Sequence, residues 1–113
     1  MNRRVEPPTL FLQTELPVPF DTLPLHDAVL TSISVGWDAA RCELRFRLVD
    51  RPSHVLVFEG FTNIELPRRE SWGPSSSVNS ARQPAYGVFE IELQSGDVIR
   101  IEAPRWTFLP EDV

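Results

Sequence analysis

Apolar and polar residues alternate with a period of two over most of the chain, and the stretch from Val88 to Ala103, VFEIELQSGDVIRIEA, shows this most plainly. Phe89, Ile91 and Leu93 point one way, while Glu90, Glu92 and Gln94 point the other, the signature of a half-buried strand. Beyond the turn, Ile99 and Ile101 alternate with Arg100 and Glu102. A two-residue Ser95-Gly96 turn would set Ile91 opposite Arg100 and mix the faces. A three-residue loop, Gln94-Ser95-Gly96, sets Ile91 opposite Ile99, Phe89 opposite Ile101 and Glu90 opposite Arg100. A one-residue slip would turn the apolar side chains to water, so the pattern predicts the three-residue loop, with Gly96 in the left-handed region.

The same pattern runs through the first half. Ala28 to Gly36 reads as a strand, with Val29, Thr31, Ile33 and Val35 on one face and Ser32 and Ser34 on the other. Arg41 to Val49 returns, with Cys42, Leu44, Phe46 and Leu48 alternating with Glu43, Arg45 and Arg47. A four-residue loop, Trp37 to Ala40, sets Val35 opposite Cys42 and Ile33 opposite Leu44, and predicts a buried, inert Cys42 thiol. After the Asp50-Arg51-Pro52-Ser53 turn, His54 to Phe61 forms a third strand. Val55 and Val57 lie on one face and Leu56 and Phe58 on the other, as in a central strand covered on both sides. Thr62 to Pro67 continues it past a bend at Gly60, and Arg105 to Leu109 reads as a last short strand or strap.

Two stretches break the pattern. Met1 to Pro24 holds five of the eleven prolines, which rules out a helix or central strand there. It reads as an extended arm across the body, with Thr9 to Thr14 as an edge strand. The run from Arg68 to Pro84, RRESWGPSSSVNSARQP, reads as a loop too long for a simple connection, and such loops often carry function. No helical periodicity is present. The prediction is a single all-β domain over residues 1–113: six to seven short, mostly sequential antiparallel strands in a small sandwich or partly closed barrel, with the proline-rich arm at 1–24.

Composition narrows the function classes. The net charge is −5, which disfavours a nucleic-acid backbone as partner and suits a basic protein. All eleven basic residues are Arg, so neither Schiff-base chemistry nor a phosphate-loop lysine is available. Apolar runs fall short of the roughly 20 residues that span a bilayer. No charged-then-apolar leader is evident, and Cys42 is a lone cysteine, so a bacterial-type cytoplasmic protein is expected.

The candidate chemistry concentrates in the 68–84 run. Arg68, Arg69 and Arg82 could hold an anion, while Trp72 beside Gly73 and Pro74 is a stacking platform, a protein contact or a plug for the open end of the sheet. Ser75 and Asn79 complete the candidate ligand or partner site. The alternatives are a small-ligand binder using the 68–84 loop, and a hydrolase with Ser75, Ser76 or Ser77 as nucleophile. The hydrolase reading lacks the Gly-x-Ser-x-Gly elbow. A metal set of His26, Asp27, His54 and Glu59 lacks a recognised ligand spacing. The carboxylates Glu90, Glu92 and Glu102 lie on one strand face rather than across a cleft. The reading therefore assigns no catalytic residue, metal ligand or cofactor.

Leu25-His26-Asp27-Ala28 opening a strand, the strand at Val55 to Phe58, and Trp72-Gly73-Pro74-Ser75 before the Gln94-Ser95-Gly96-Asp97 hairpin resemble small bacterial proteins of unknown function. Some similar all-β proteins are grouped with immunity proteins of polymorphic toxin systems. The likeness spans about Leu25 to Ala103 and leaves the arm outside it. It implies a non-enzymatic domain that binds another protein, such as a basic toxin. The net charge and the short apolar runs, not the likeness, set the expectation of no nucleic-acid and no membrane partner. Self-association through an edge strand is a further expectation.

Overall fold

The computed structural model describes residues 18–69 and 76–111. Among these residues the chain forms eight strands: β1 (Val29–Gly36), β2 (Arg41–Arg47), β3 (His54–Glu59), β4 (Asn63–Glu65), β5 (Val78–Ala85), β6 (Val88–Leu93), β7 (Val98–Glu102) and β8 (Arg105–Pro110). A single 3-10 turn, Phe20–Thr22, precedes them. The strands make two four-stranded antiparallel sheets, ordered β1-β2-β3-β8 and β4-β7-β6-β5. The core lies between the sheets. Phe46, Leu44, Leu56 and Phe58 come from the first and Phe89, Ile91, Ile99 and Ile101 from the second.

Both hairpin registers follow from face matching. Ile91 pairs with Ile99, Phe89 with Ile101 and Glu90 with Arg100. The Leu93 and Gly96 amides donate to the Asp97 and Leu93 carbonyls, and Gly96 has φ 103°, which closes the three-residue loop. Val35 pairs with Cys42 and Ile33 with Leu44. Cys42 is fully buried.

The sandwich is closed at two places. On one side, strands pass from sheet to sheet: β3 runs into β4 at Gly60, and β7 runs into β8 at Ala103-Pro104. These two crossings touch. Gly60 has φ +76°, and a Cβ built on it would lie 3.1 Å from Pro104 Cγ. Glycine allows both the backbone and the approach. On the other side, Val78 N–H donates to the Ala28 carbonyl at 2.8 Å, and Leu30 N–H donates to the Ser76 carbonyl at 3.1 Å. The first residues of β1 are thereby tied to the start of β5.

Four features depart from the sequence reading. First, there are eight strands rather than six or seven. The second half of the 68–84 run is not loop: Val78–Ala85 is β5, an edge strand. Its polar composition and Pro84 hid it, because an edge strand tolerates both. Second, β1 contains a bulge between Leu30 and Ser32. Leu30, not Val29, therefore joins Ile33 on the core side, opposite Phe46, and the Thr31 hydroxyl donates to the Arg45 carbonyl. Third, Val57 is buried, yet it lies outside the core cluster. Its cross-strand neighbours are Glu43 and Thr107, so side chains of its own sheet cover it rather than a further layer. Fourth, the end of the proline-rich arm is not wholly extended. The turn at Phe20–Thr22 inserts Phe20, 1% exposed, among Phe89, Trp106 and Phe58, with ring centroids 4.9, 5.4 and 6.2 Å away. Asp21 holds the turn against β5 by accepting the Gln83 amide at 2.8 Å. The expected strand at Thr9 to Thr14 lies outside the described residues.

Candidate functional site

The outer faces of both sheets carry ion-pair networks. On the second sheet, Glu65, Arg100, Glu90 and Arg82 stand side by side across four strands. Glu90 accepts from Arg82 at 3.0 Å and from Arg100 at 2.9 Å. On the first sheet, Glu43 accepts from Arg41 at 2.8 Å and from Arg45 at 2.9 Å, and Arg45 also reaches Glu111 at 2.8 Å. These bonds hold the Glu43 carboxyl below its usual range and raise Arg41 and Arg45. Charges matched in this way leave little to recruit a free anion.

The sequence candidates divide accordingly. Arg82 does not offer an open guanidinium, because it bonds Glu90 and lies 3.7 Å from Glu92. Asn79 joins the same cluster and donates to Glu92 at 3.2 Å. Arg68 and Arg69 sit elsewhere, after β4, and Arg69 contributes its backbone N–H to the buried Asp97 carboxylate at 3.1 Å. The fold therefore unites Asn79 with Arg82 around Glu92 and leaves Arg68 and Arg69 apart from them. Trp72 and Ser75 lie outside the described residues. The Ser76 hydroxyl donates to the Leu30 carbonyl at 2.9 Å, a structural tie between the sheets.

The histidines are also engaged. A carbonyl can only accept, so Nδ1 of His26 donates to the Asn79 carbonyl at 2.8 Å, and Nδ1 of His54 donates to the Pro52 carbonyl at 2.8 Å. The His54 ring stacks on Phe108. Glu59 pairs with Arg41. Among the described residues no group of three His, Cys, Asp or Glu side chains is placed to hold a metal ion, and no helix is long and apolar enough to cross a membrane.

The surface that stands out is one end of the sandwich. The β1–β2 loop, the Gly60 and Pro104 crossings and the β5–β6 turn meet there. Gly60 N–H and Phe61 N–H both donate to the Ala40 carbonyl, and Ala103 N–H donates to the Gly87 carbonyl. Trp37 projects from the first loop with 77% of its surface exposed, and its ring meets Phe61 edge-on at 6.0 Å. Tyr86 sits at the β5–β6 turn and is 91% exposed. A shallow depression beside Trp37 is lined by Val35, Gly36 and Ala39. The sequence reading placed Trp37 at the start of the β1–β2 loop without giving it a role and passed over Tyr86. Its position in an Ala85-Tyr86-Gly87 turn between two strands was the available signal, since a turn tip cannot bury a large ring.

Near this end a groove of about 600 Å³ runs between Phe20, Gln83 and the β8 residues Arg105 to Thr107. Trp106 and Phe20 form its apolar wall, and Glu59 and Arg105 form its polar lip. Compared with protein-family models, curated proteins and solved structures, the chain finds no match.

Proposed function

We propose that this chain is a non-enzymatic protein-interaction domain whose binding surface is the loop end that carries Trp37 and Tyr86. One observation carries the reading: two large aromatic side chains, 77% and 91% exposed, stand on turn tips at the same end of a rigid sandwich. Exposing such rings in water wastes about 1.5–3 kcal/mol of burial for each. Trp and Tyr are the residues most enriched in interface hot spots, where they add large rigid area at low entropic cost. The catalytic alternatives have no comparable support, because the Ser76 hydroxyl and the His26 and His54 rings are each engaged in structural hydrogen bonds.

The net charge of −5 favours a basic partner. An immunity-like protein that covers a basic toxin fits that chemistry. The test is affinity capture with the wild-type chain and with Trp37→Ala/Tyr86→Ala as parallel baits, followed by titration of the purified partner. A specific partner held by the wild type and lost on the double variant supports the reading, as does an affinity that falls with added salt. Equal capture by both baits, with unchanged affinity, removes the loop end as the site.

A further inference from the structure

A sheet edge offers unpaired N–H and C=O groups to any second strand, and folds normally guard such edges. Three of the four edges here are guarded. The β1 edge is bulged at Leu30/Ser32 and tied at its start to Ser76–Val78. The β4 edge is three residues long. The β5 edge has a register shift between Arg82 and Ala85 and is strapped by Asp21 at Gln83. β8 differs: its six residues pair with β3 in unbroken register, and no strand pairs with its other side among the described residues.

The direction of its free groups can be read from one bond. The Glu111 amide donates to the Ser53 carbonyl at 2.8 Å, toward β3. Antiparallel pairing alternates, so Leu109, Thr107 and Arg105 also turn their backbone groups toward β3. Trp106, Phe108 and Pro110 therefore present theirs outward. Pro110 has no N–H, so that outward position offers its carbonyl alone.

We propose that β8 is a self-association edge, at which two copies of this chain pair their β8 strands antiparallel about a twofold axis through Phe108. In this register Phe108 faces Phe108 of the second copy, and each donates its N–H to the other's carbonyl. Each Trp106 N–H meets the Pro110 carbonyl across the axis, and the Trp106 carbonyl receives no bond from Pro110 in return. On the outer face, Arg105 stands opposite Glu111, and Thr107 opposite Leu109. The neighbouring register, centred on Thr107, offers as many backbone bonds but sets Arg105 against Leu109. Charge complementarity therefore selects the Phe108 register. Glu111 already accepts from Arg45 at 2.8 Å, so its carboxylate would be shared between Arg45 and the incoming Arg105. The Arg105 side chain is 66% exposed, with only a 3.8 Å contact to Glu59. Leu109 is 52% exposed, and the groove beside Arg105 to Thr107 leaves room for the incoming Pro110. The contact is isologous, so it closes at a dimer with an eight-stranded sheet across it and does not propagate. It uses β8 alone and is independent of the loop-end reading.

The experiment is sedimentation equilibrium on the full chain, from about 1 μM to about 1 mM. The wild type is expected to dimerise. Arg105→Glu and Glu111→Arg should each weaken the dimer about tenfold, because two attractive pairs become repulsive. The swap Arg105→Glu/Glu111→Arg should restore it to within about threefold. A second measurement needs no variant. Hydrogen exchange at the Trp106 and Phe108 amides should slow as the protein is concentrated, while Thr107 and Leu109, already bonded to β3, stay protected throughout. A wild type that is monomeric at every concentration overturns the proposal. So do single variants that dimerise as well as the wild type, a swap that fails to restore pairing, or Trp106 and Phe108 amides whose exchange ignores concentration.

Discussion

Replacing Phe20 by Ala should remove about 3–5 kcal/mol of stability, although Phe20 lies ahead of every described strand. Its ring is 1% exposed and meets Phe89, Trp106 and Phe58 within 6.2 Å. Burial alone accounts for about 1.5–3 kcal/mol, and tilted or edge-on ring pairs add about 0.5–1.5 kcal/mol each, less than additively. The cavity left behind would be walled by both sheets, which cannot collapse without shifting β8 against β6. Urea unfolding followed by circular dichroism measures the loss as a lower midpoint at unchanged slope. Coupling gives a sharper check. Asp21 fastens the same turn to Gln83. If Phe20 is what pins the turn, Asp21→Ala should cost about 1 kcal/mol in the wild type and almost nothing in the Phe20→Ala background. A loss below about 1.5 kcal/mol for Phe20→Ala, or full additivity of the two changes, would refute the idea that this ring closes the sandwich.

The remaining expectations concern the crossing, the thiol and the ion pairs. Gly60→Ala should cost about 2 kcal/mol or more in thermal unfolding, from its φ of +76° and the 3.1 Å approach to Pro104. Gly36→Ala, with normal φ and its nearest contact at 3.7 Å, should be close to neutral. Cys42 should resist thiol reagents at neutral pH in the native state and react once unfolded. Burial, and then the Glu43 charge, push its pKa up to about 11, so the thiolate is scarce. Glu43 has a folded pKa below its ordinary value of 4.5, so its contribution is fully present above that pH and is lost as pH falls further. Glu43→Gln should therefore flatten the decline of melting temperature on the acid side of about pH 4.5, and an unchanged acid slope would contradict this.

Much of the fold was legible because face matching is a strong constraint. The Ile91–Ile99 and Val35–Cys42 registers, and the loops that set them, followed from alternation and from the cost of turning apolar residues to water. The illegible parts lacked that constraint. β5 reads VNSARQPA, in which only Val78 is fully buried, so alternation had nothing to register. The β1 bulge adds one residue, Thr31, and moves Leu30 to the core without changing composition. Phe20 sat in a proline-rich stretch, where a local pattern shows that strands are excluded but not that one ring turns inward.

The site was less legible than the fold, and Arg82 shows the physical reason. A residue type advertises what a side chain can bind, but its neighbours decide what it is free to bind. Arg82 on its own suggests an anion site. Its place on β5 puts Glu90 directly across from it, and that pairing is set by backbone register rather than by anything near it in sequence. Asn79 and Ser80 are taken up by Glu92 in the same way. Trp37 and Tyr86 reverse the case. Both are large rings of a type that favours burial, yet each sits where the chain reverses between two paired strands. A hairpin tip has no facing layer to receive a large ring. Exposure there is a consequence of topology: Trp37 already fell in a predicted loop, but β5 had to be placed before Tyr86 stood on a turn tip at the same end.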